Sequence, residues 1–347
     1  MLVILGSGLV WFTTFHPADL QAEAVACTED AAPLQPDQTL KVLNWNVQYM
    51  AGKGYVFFYD LPDNSGPDER PSREAVAQTF AEVARVIREE DPDLVLLQEV
   101  DDGADRTDDE DQLARLLGML PPEYVCHTSA FYWKAAFVPH PRILGAVGMK
   151  LSIVSKYRIS SAQRHQLALM PADPLTQQFN FKRAVLEARL PIAGGGELAV
   201  LNTHLDAFAQ GSDTMTRQVQ QVDAILNQLT QAGLPWLIGG DFNLLPPTPD
   251  AYQRLILSHQ SYYNPKTEIV PLYERYQAVP SLAEVTSPEY QRWFTHYPND
   301  PAIAGPDRTI DYLFLSPALG LGEHYVRQHD TLTISDHLPL IAEITLP

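Results

Sequence analysis

The strongest constraint on this chain is the way its apolar segments end. "LKVLNWNVQ" carries Asn44 and Asn46, and "DLVLLQEV" carries Gln98 and Glu99. "LAVLNTHL" closes on Asn202 and His204, and "PWLIGGDFNLLPP" runs into Asp241 and Asn243. Asp311 opens "IDYLFLS", Asp336 and His337 precede "LPLIAEI", and Lys182 and Arg183 begin a further apolar run. Taken singly, each is a turn residue, a cap or a satisfied buried group. Left unpaired inside a core, each would cost about 1–3 kcal/mol. A fold that accepts all of them has to give them partners or work to do.

The order of the segments points to a layered α/β protein. Strands are expected at 40–48, 93–100, 123–128, 148–155, 181–190, 197–204, 235–239, 310–316, 323–329 and 338–345. Helical spacing of Val76, Phe80, Val83 and Ile87, with Ser72 as N-cap, gives a helix over 72–90. Met215, Val219, Val222, Leu226 and Leu229 give another over 213–232. A capping box from Thr107 to Glu110 opens a shorter helix, and one more is expected near 249–258. Strands in runs with helices between them fit two sheets packed face to face with helices outside. The stretches 50–72 and 259–309 are long, proline- and aromatic-rich connections of the kind that form binding surfaces. Within the first, "GYVFFYD" (54–60) reads either as an aromatic surface patch or as packing beneath its own loop.

With 24 basic and 43 acidic residues the formal net charge is −19. Such a surface does not attract nucleic acid or anionic lipid over its whole area, although a locally basic groove remains compatible. Residues 1–15 are apolar but shorter than a membrane span of about 20 residues, and no Lys or Arg precedes Lys41. "AVAC" (24–27) fits a small-residue cleavage pattern and, loosely, a lipoprotein site with Cys27 first in the mature chain. Residues 1–27 are therefore expected to be a leader or membrane anchor, 28–39 a linker, and 40–347 the folded domain, exported or membrane-associated. Two cysteines, Cys27 and Cys126, make no disulfide framework.

The strand-end set names its chemistry. Carboxylates and amides without thiolates suit a hard divalent cation, Mg²⁺ or Mn²⁺. Histidines with acidic partners suit proton transfer or charge stabilisation, and Lys182 with Arg183 suits a phosphate. There is no G-x-S-x-G elbow, Walker loop or HExxH. Hydrolysis of a phosphate ester by activated water is the consistent reading.

In order along the chain, "NWNVQ", "LLQEV", "FKRA", "NTHL", "GGDFN", "IDYLFLS" and "SDHLPL" resemble the signatures of the endonuclease/exonuclease/phosphatase superfamily, over about 40–347. The resemblance implies a DNase I-like α/β fold, a four-layer sandwich of two packed, mainly antiparallel sheets flanked by helices, with the site at one end. It implies Glu99 as principal metal ligand, with Asn46 near metal and phosphate and Asp336 a carboxylate near the metal. Asp241 matches the acid that orients or deprotonates water, and Asn243 the amide that holds the phosphate. His204 and Arg183 match phosphate contacts, and Asp311 the acid that orients the catalytic His337. The Gly239–Gly240 pair reads as a turn letting backbone approach the phosphate. The chain departs from the family where "GMKLSIVSK" replaces a compact G-x-A-I-L-S-R segment and "PDRTIDYLF" replaces the 5-phosphatase signature. Tyr132 has no position fixed by spacing. The expected substrate is a phospholipid or other small phosphodiester, with nucleic acid as the alternative and a non-catalytic binding module as the rival from another class. No protein partner is inferable.

Overall fold

The computed structural model describes residues 10–207 and 209–347. Fourteen strands form two seven-stranded sheets among these residues. In chain order they are β1 (Leu20–Glu23), β2 (Val25–Cys27), β3 (Thr39–Asn46), β4 (Leu94–Asp101), β5 (Cys126–Val138), β6 (Gly145–Ser155) and β7 (Ser161–Gln166). Then follow β8 (Ala184–Pro191), β9 (Glu197–His204), β10 (Trp236–Asp241), β11 (Gln277–Val279), β12 (Asp311–Leu315), β13 (Gly320–Val326) and β14 (Leu340–Thr345). One sheet runs β1-β7-β8-β9-β10-β12-β11 and the other β13-β14-β3-β4-β6-β5-β2.

Each sheet contains one parallel pair, and each pair is built around the sheet's long helix. β3 and β4 are parallel and joined through α1 (Arg73–Glu90); β9 and β10 are parallel and joined through α2 (Thr214–Gln231). A parallel pair needs a crossover, and an amphipathic helix supplies it. Ser72 caps α1 by accepting from the Ala75 amide. Val83 and Ile87 of α1 pack against Leu43 and Val95 on the outer face of one sheet. Val219, Val222 and Leu226 of α2 pack against Ile238 and Phe314 on the other. Between the sheets lies a third core that includes Val42, Leu96, Leu151, Leu186, Val200 and Leu313. The result is the expected four-layer sandwich, with both sheets mixed by virtue of their parallel pairs.

The N-terminal expectation changes. β1 pairs with β7 and β2 with β5, one strand for each sheet, and Cys27 is disulfide-bonded to Cys126. The stretch 28–39 is not a free linker. Leu34 is fully buried, its amide donates to the Pro191 carbonyl, and its own carbonyl accepts from Ala193. The folded unit therefore takes in Leu20–Cys27, and Cys27 has no free thiol to carry a lipid. The reason is that each sheet has an edge there for an extended segment to pair with. Of the apolar stretch 1–15, residues 1–9 lie outside the described residues. No helix among those described is long and apolar enough to cross a membrane.

Other boundaries move for local reasons. β5 starts at Cys126 and runs to Val138, forming a long hairpin with β6. The capping box at Thr107 does not form, because the Thr107 hydroxyl bonds the buried Asp101 carboxylate and Asp111 caps a helix at Gln112–Leu117 instead. The helix near 249–258 breaks at the extended Leu255 into two four-residue turns. A true capping box occurs at Ser281 and Glu284.

Candidate active site

The parallel pairs bring four of the strand-end residues together, because both pairs run in register to the same end of the sandwich. Asp241 at the end of β10 is the register partner of His204 on β9 and of Asp311 on β12. Asn46 ends β3 beside Gln98, and Glu99 follows. Glu99 sits at a β-bulge with φ 58°, a left-handed conformation that re-aims its side chain from the strand into the site. His337 arrives in the loop before β14, fixed by the Trp45 indole donating to its carbonyl at 2.8 Å.

One carboxylate oxygen is the meeting point. Asp241 Oδ2 accepts from Asn46 Nδ2 at 3.1 Å and lies 3.3 Å from His204 Nε2 and 3.5 Å from His337 Nε2. Asp241 Oδ1 accepts from the Asn243 amide at 3.0 Å. His337 Nδ1 lies 2.8 Å from Asp311 Oδ2, which fixes the ring orientation. His204 Nδ1 lies 3.3 Å from the Tyr132 hydroxyl, which donates to Met149 Sδ. Tyr132, unplaced by spacing, is thus fully buried directly behind His204.

Burial and neighbouring charge divide the protons unevenly. Burial raises the pKa of Asp241 to about 7, against the lowering influence of His337. Burial disfavours the imidazolium of His337, but Asp311 and Asp241 outweigh it and hold the pKa well above the ordinary value. For His204 burial acts with Arg183 and His337, and the pKa falls well below 6.5. The surroundings thus favour the charged imidazole at His337 and the neutral one at His204, on the two sides of a single carboxylate.

The donor set fits a hard cation, with one change of role. Glu99 and Asp336 are held near enough that, after burial, Asp336 is the largest influence raising the pKa of Glu99. Among the described residues neither is ion-paired to a lysine or arginine; the ion-pair neighbour of Glu99 is His204 at 3.9 Å and that of Asp336 is His296 at 3.8 Å. Two mutually repelling carboxylates whose only ion-pair neighbours are histidines are what a divalent cation relieves. The tightest His–carboxylate groups, with ligand atoms within 4.8 Å, are His296–Asp336–His337 and Asp241–Asp311–His337, so Asp336 belongs to one and Glu99 to neither. Asn46 is a bridge: its Nδ2 donates to Glu99 at 3.2 Å and to Asp241, while its oxygen accepts from the Gln48 amide.

The phosphate contacts divide. Arg183 faces the cleft, pairs with Asp206 at 3.2 Å, lies 4.3 Å from the Phe181 ring centre, and keeps a buried Nη1 without a partner. Lys182 is turned away, its ammonium bonded to the Gln177 and Asn180 carbonyls. Asn243 donates its side-chain amide to the Leu205 carbonyl at 3.1 Å. Its φ of 51° leaves it facing the cleft. Asn44, Gln98 and Asn202 do not reach the site. They form a fully buried polar ladder beneath it, with Gln98 donating to Asn44 at 2.9 Å and to Asn202 at 2.7 Å. The glycines are not a turn. Both lie inside β10, and a Cβ on Gly240 would fall 2.2 Å from the Thr203 carbonyl oxygen.

Sequence reasoning missed His296 and Gln48. His296 bridges to Arg308 and to His337 from within the 259–309 connection, where no periodicity marks it. Gln48 is the first of three consecutive non-glycine residues with positive φ, Gln48 to Met50, and turns a buried amide into the cleft. The cleft encloses about 910 Å³. The "GYVFFYD" aromatics form part of its wall rather than an exposed patch: Phe57 is buried and Phe58 stacks on His140.

A model of the endonuclease/exonuclease/phosphatase family matches residues 43–337 of this chain. The chain belongs to that family. Family members are hydrolases acting on phosphate esters, in keeping with the convergence of Asp241, His204 and His337. No curated protein matches the sequence. Solved structures share the endonuclease/exonuclease/phosphatase fold at low identity. A family member from Beutenbergia cavernae is 22% identical, covers 89% of this chain and 72% of its own, and gives a TM-score of 0.57. The human Nocturnin catalytic domain with bound sulfate is 16% identical over 94% of this chain and 97% of its own, with a TM-score of 0.54. ANGEL2, a 2',3'-cyclic phosphatase in complex with adenosine-2',3'-vanadate, is 16% identical over 93% and 98%, with a TM-score of 0.55.

Proposed function

We propose that this protein is a divalent-metal-dependent phosphodiesterase acting on a phospholipid or other small phosphodiester. The observation that carries the reading is Asp241 Oδ2, within 3.5 Å of Asn46, His204 and His337 at once. Glu99 and Asp336 would hold Mg²⁺ or Mn²⁺, which when bound offsets the negative charge of the phosphate. Arg183 and Asn243 orient the phosphate. Asp241 accepts a proton from the attacking water, and its raised pKa suits that exchange near neutrality. The charged His337, held by Asp311, faces the oxygen on which charge develops. Neutral His204 completes the cradle.

The choice of a small diester over nucleic acid rests on the cleft's arginines. Arg70, Arg106, Arg142, Arg183 and Arg308 line it, and each is ion-paired to a carboxylate: Asp108, Asp101, Glu69, Asp206 and Asp307 respectively. A nucleic-acid track depends on cations free to replace counterions along several phosphates. The Cys27–Cys126 disulfide supports an oxidising, exported setting.

The test is turnover of bis-p-nitrophenyl phosphate with Mg²⁺, its loss in EDTA and its return on adding the ion back. Comparison of kcat/KM on phosphatidylcholine and duplex DNA then settles substrate class. Turnover unaffected by EDTA, or efficient DNA cleavage without lipid turnover, would overturn the proposal.

A further inference from the structure

The β5–β6 hairpin projects beside the cleft mouth. Val138, Pro139, His140, Arg142 and Leu144 of its tip line the cleft, while Phe137 is 48% and Leu144 60% exposed. Leu175, 60% exposed, precedes the short helix Thr176–Phe179, whose Phe179 carbonyl accepts from Trp133 on the hairpin. Thr14 bridges to Ala135 on β5, and Trp11 and Phe12, 58% and 87% exposed, precede Thr14 on the segment that this bridge ties to the hairpin. Five of the large exposed apolar side chains therefore stand on the hairpin and on two segments bonded to it, with Leu144 at the cleft itself.

Charge says what covers them. The chain has 43 acidic residues, yet none lies in 1–18 or in 126–150. Lys134, Arg142 and Lys150 do lie there. The acids that neighbouring elements bring include Glu69, paired with Arg142; Asp102 and Asp111, paired with Lys150; Asp173, whose carboxylate accepts from the Leu175 and Thr176 amides; and Asp105 beside Gly145. On a molecule of charge −19 this rim is a face that can approach phosphate headgroups without carboxylates of its own strands in the way. Separate protruding side chains, rather than a flat contiguous area, suit insertion into a fluid layer.

We propose that this rim docks on a zwitterionic phospholipid surface, through Phe137, Leu144, Leu175, Trp11 and Phe12, so that the cleft opens onto the bilayer. The inference deepens the phosphodiesterase reading by naming how a lipid substrate is reached. It is read by binding, so the two can fail separately.

The experiment is co-sedimentation of the full chain with phosphatidylcholine vesicles and with vesicles containing phosphatidylserine, at low and high salt. Wild type is expected to bind phosphatidylcholine with little salt dependence, and phosphatidylserine no better. Phe137→Ser/Leu175→Ser is expected to lower that binding at least tenfold while leaving bis-p-nitrophenyl phosphate turnover unchanged; Leu282→Ser, exposed elsewhere, should bind as wild type. Leu144→Trp fluorescence should be quenched by brominated acyl chains. Absence of wild-type binding, binding only to anionic vesicles and lost in salt, an unaffected double variant, or an unquenched Trp would each overturn the inference. So would a solution dimer that the double variant dissolves.

Discussion

Glu99 shows how one side chain can be legible as important yet not as placed. Its motif marks it as a ligand, but its left-handed φ at a bulge is invisible in "LLQEV". Glu99→Gln is expected to lower metal-activated turnover by about 100-fold, since a cation supplies several kcal/mol of charge stabilisation. Titrating Mg²⁺ against rate for the two proteins checks this; an unchanged activation curve would remove Glu99 from the metal. Asp241 and His337 lie 3.5 Å apart and share a step in the proposed reaction. Asp241→Asn/His337→Ala should accordingly be scarcely slower than the poorer single variant. Fully multiplicative losses in kcat would separate their roles.

Secondary-structure elements divide between those the pattern announces and those it does not. β3, β4, β9, β10 and the two long helices follow from apolar runs and helical spacing, because each buries a face that must be apolar. β1, β2, β7 and β11 escape notice. β7 reads "SAQRHQ", and its Arg164 is fully buried by donating to the Phe131 and Lys182 carbonyls rather than by being apolar. The row of polar residues in the cleft was legible for the same reason the core was: its residues end apolar strands. His296 and Gln48 were not, since a long connection and a run of positive φ carry no period. Element packing also explains the paired glycines. Gly240→Ala would press a methyl group against the Thr203 carbonyl of β9, and overpacking of this kind costs about 1–3 kcal/mol. The expected outcome is a lower Tm together with reduced kcat, because the strand carries Asp241. Wild-type values of both would show that β9 and β10 have slack.

At the scale of the molecule, two devices tie distant parts of the chain. The Cys27–Cys126 disulfide closes a loop of 99 residues. Loop-closure entropy for about 100 residues amounts to about 4–5 kcal/mol. Cys27→Ser/Cys126→Ser should therefore show a Tm lowered by several degrees or more, and wild type in reductant should match it. Equal Tm values with and without reductant would mean the bond adds nothing. At the far side, Asp330 accepts from Arg327 and Arg85 and joins α1 to the loop after β13. The Arg327 hydrogen bonds, with those from Arg85, hold the Asp330 carboxyl well below the ordinary range. A depressed folded pKa contributes stability above the unfolded value of about 3.9, and that contribution is lost as pH falls towards the folded value. Asp330→Asn should lower Tm at pH 7 and flatten its fall below about pH 4. An unchanged acid limb in a thermal scan would show the cluster to be ornamental.

The opening strands have a consequence for how the protein behaves beside copies of itself. β1 and β2 occupy the outermost position of a different sheet each, and both are short, four and three residues. An unpaired strand edge is a template for another chain, and brief edge strands are a means of blunting it. Without Leu20–Cys27, β7 and the start of β5 would present bare amides and carbonyls at neighbouring edges of the two sheets, since a single residue separates β1 from β2. A molecule with two such open edges side by side can pair with the same edges of another copy. A chain starting at Thr39 should therefore scatter light with time and concentration while the full chain stays clear; a truncated protein that remains monomeric by sedimentation would show that these eight residues guard nothing.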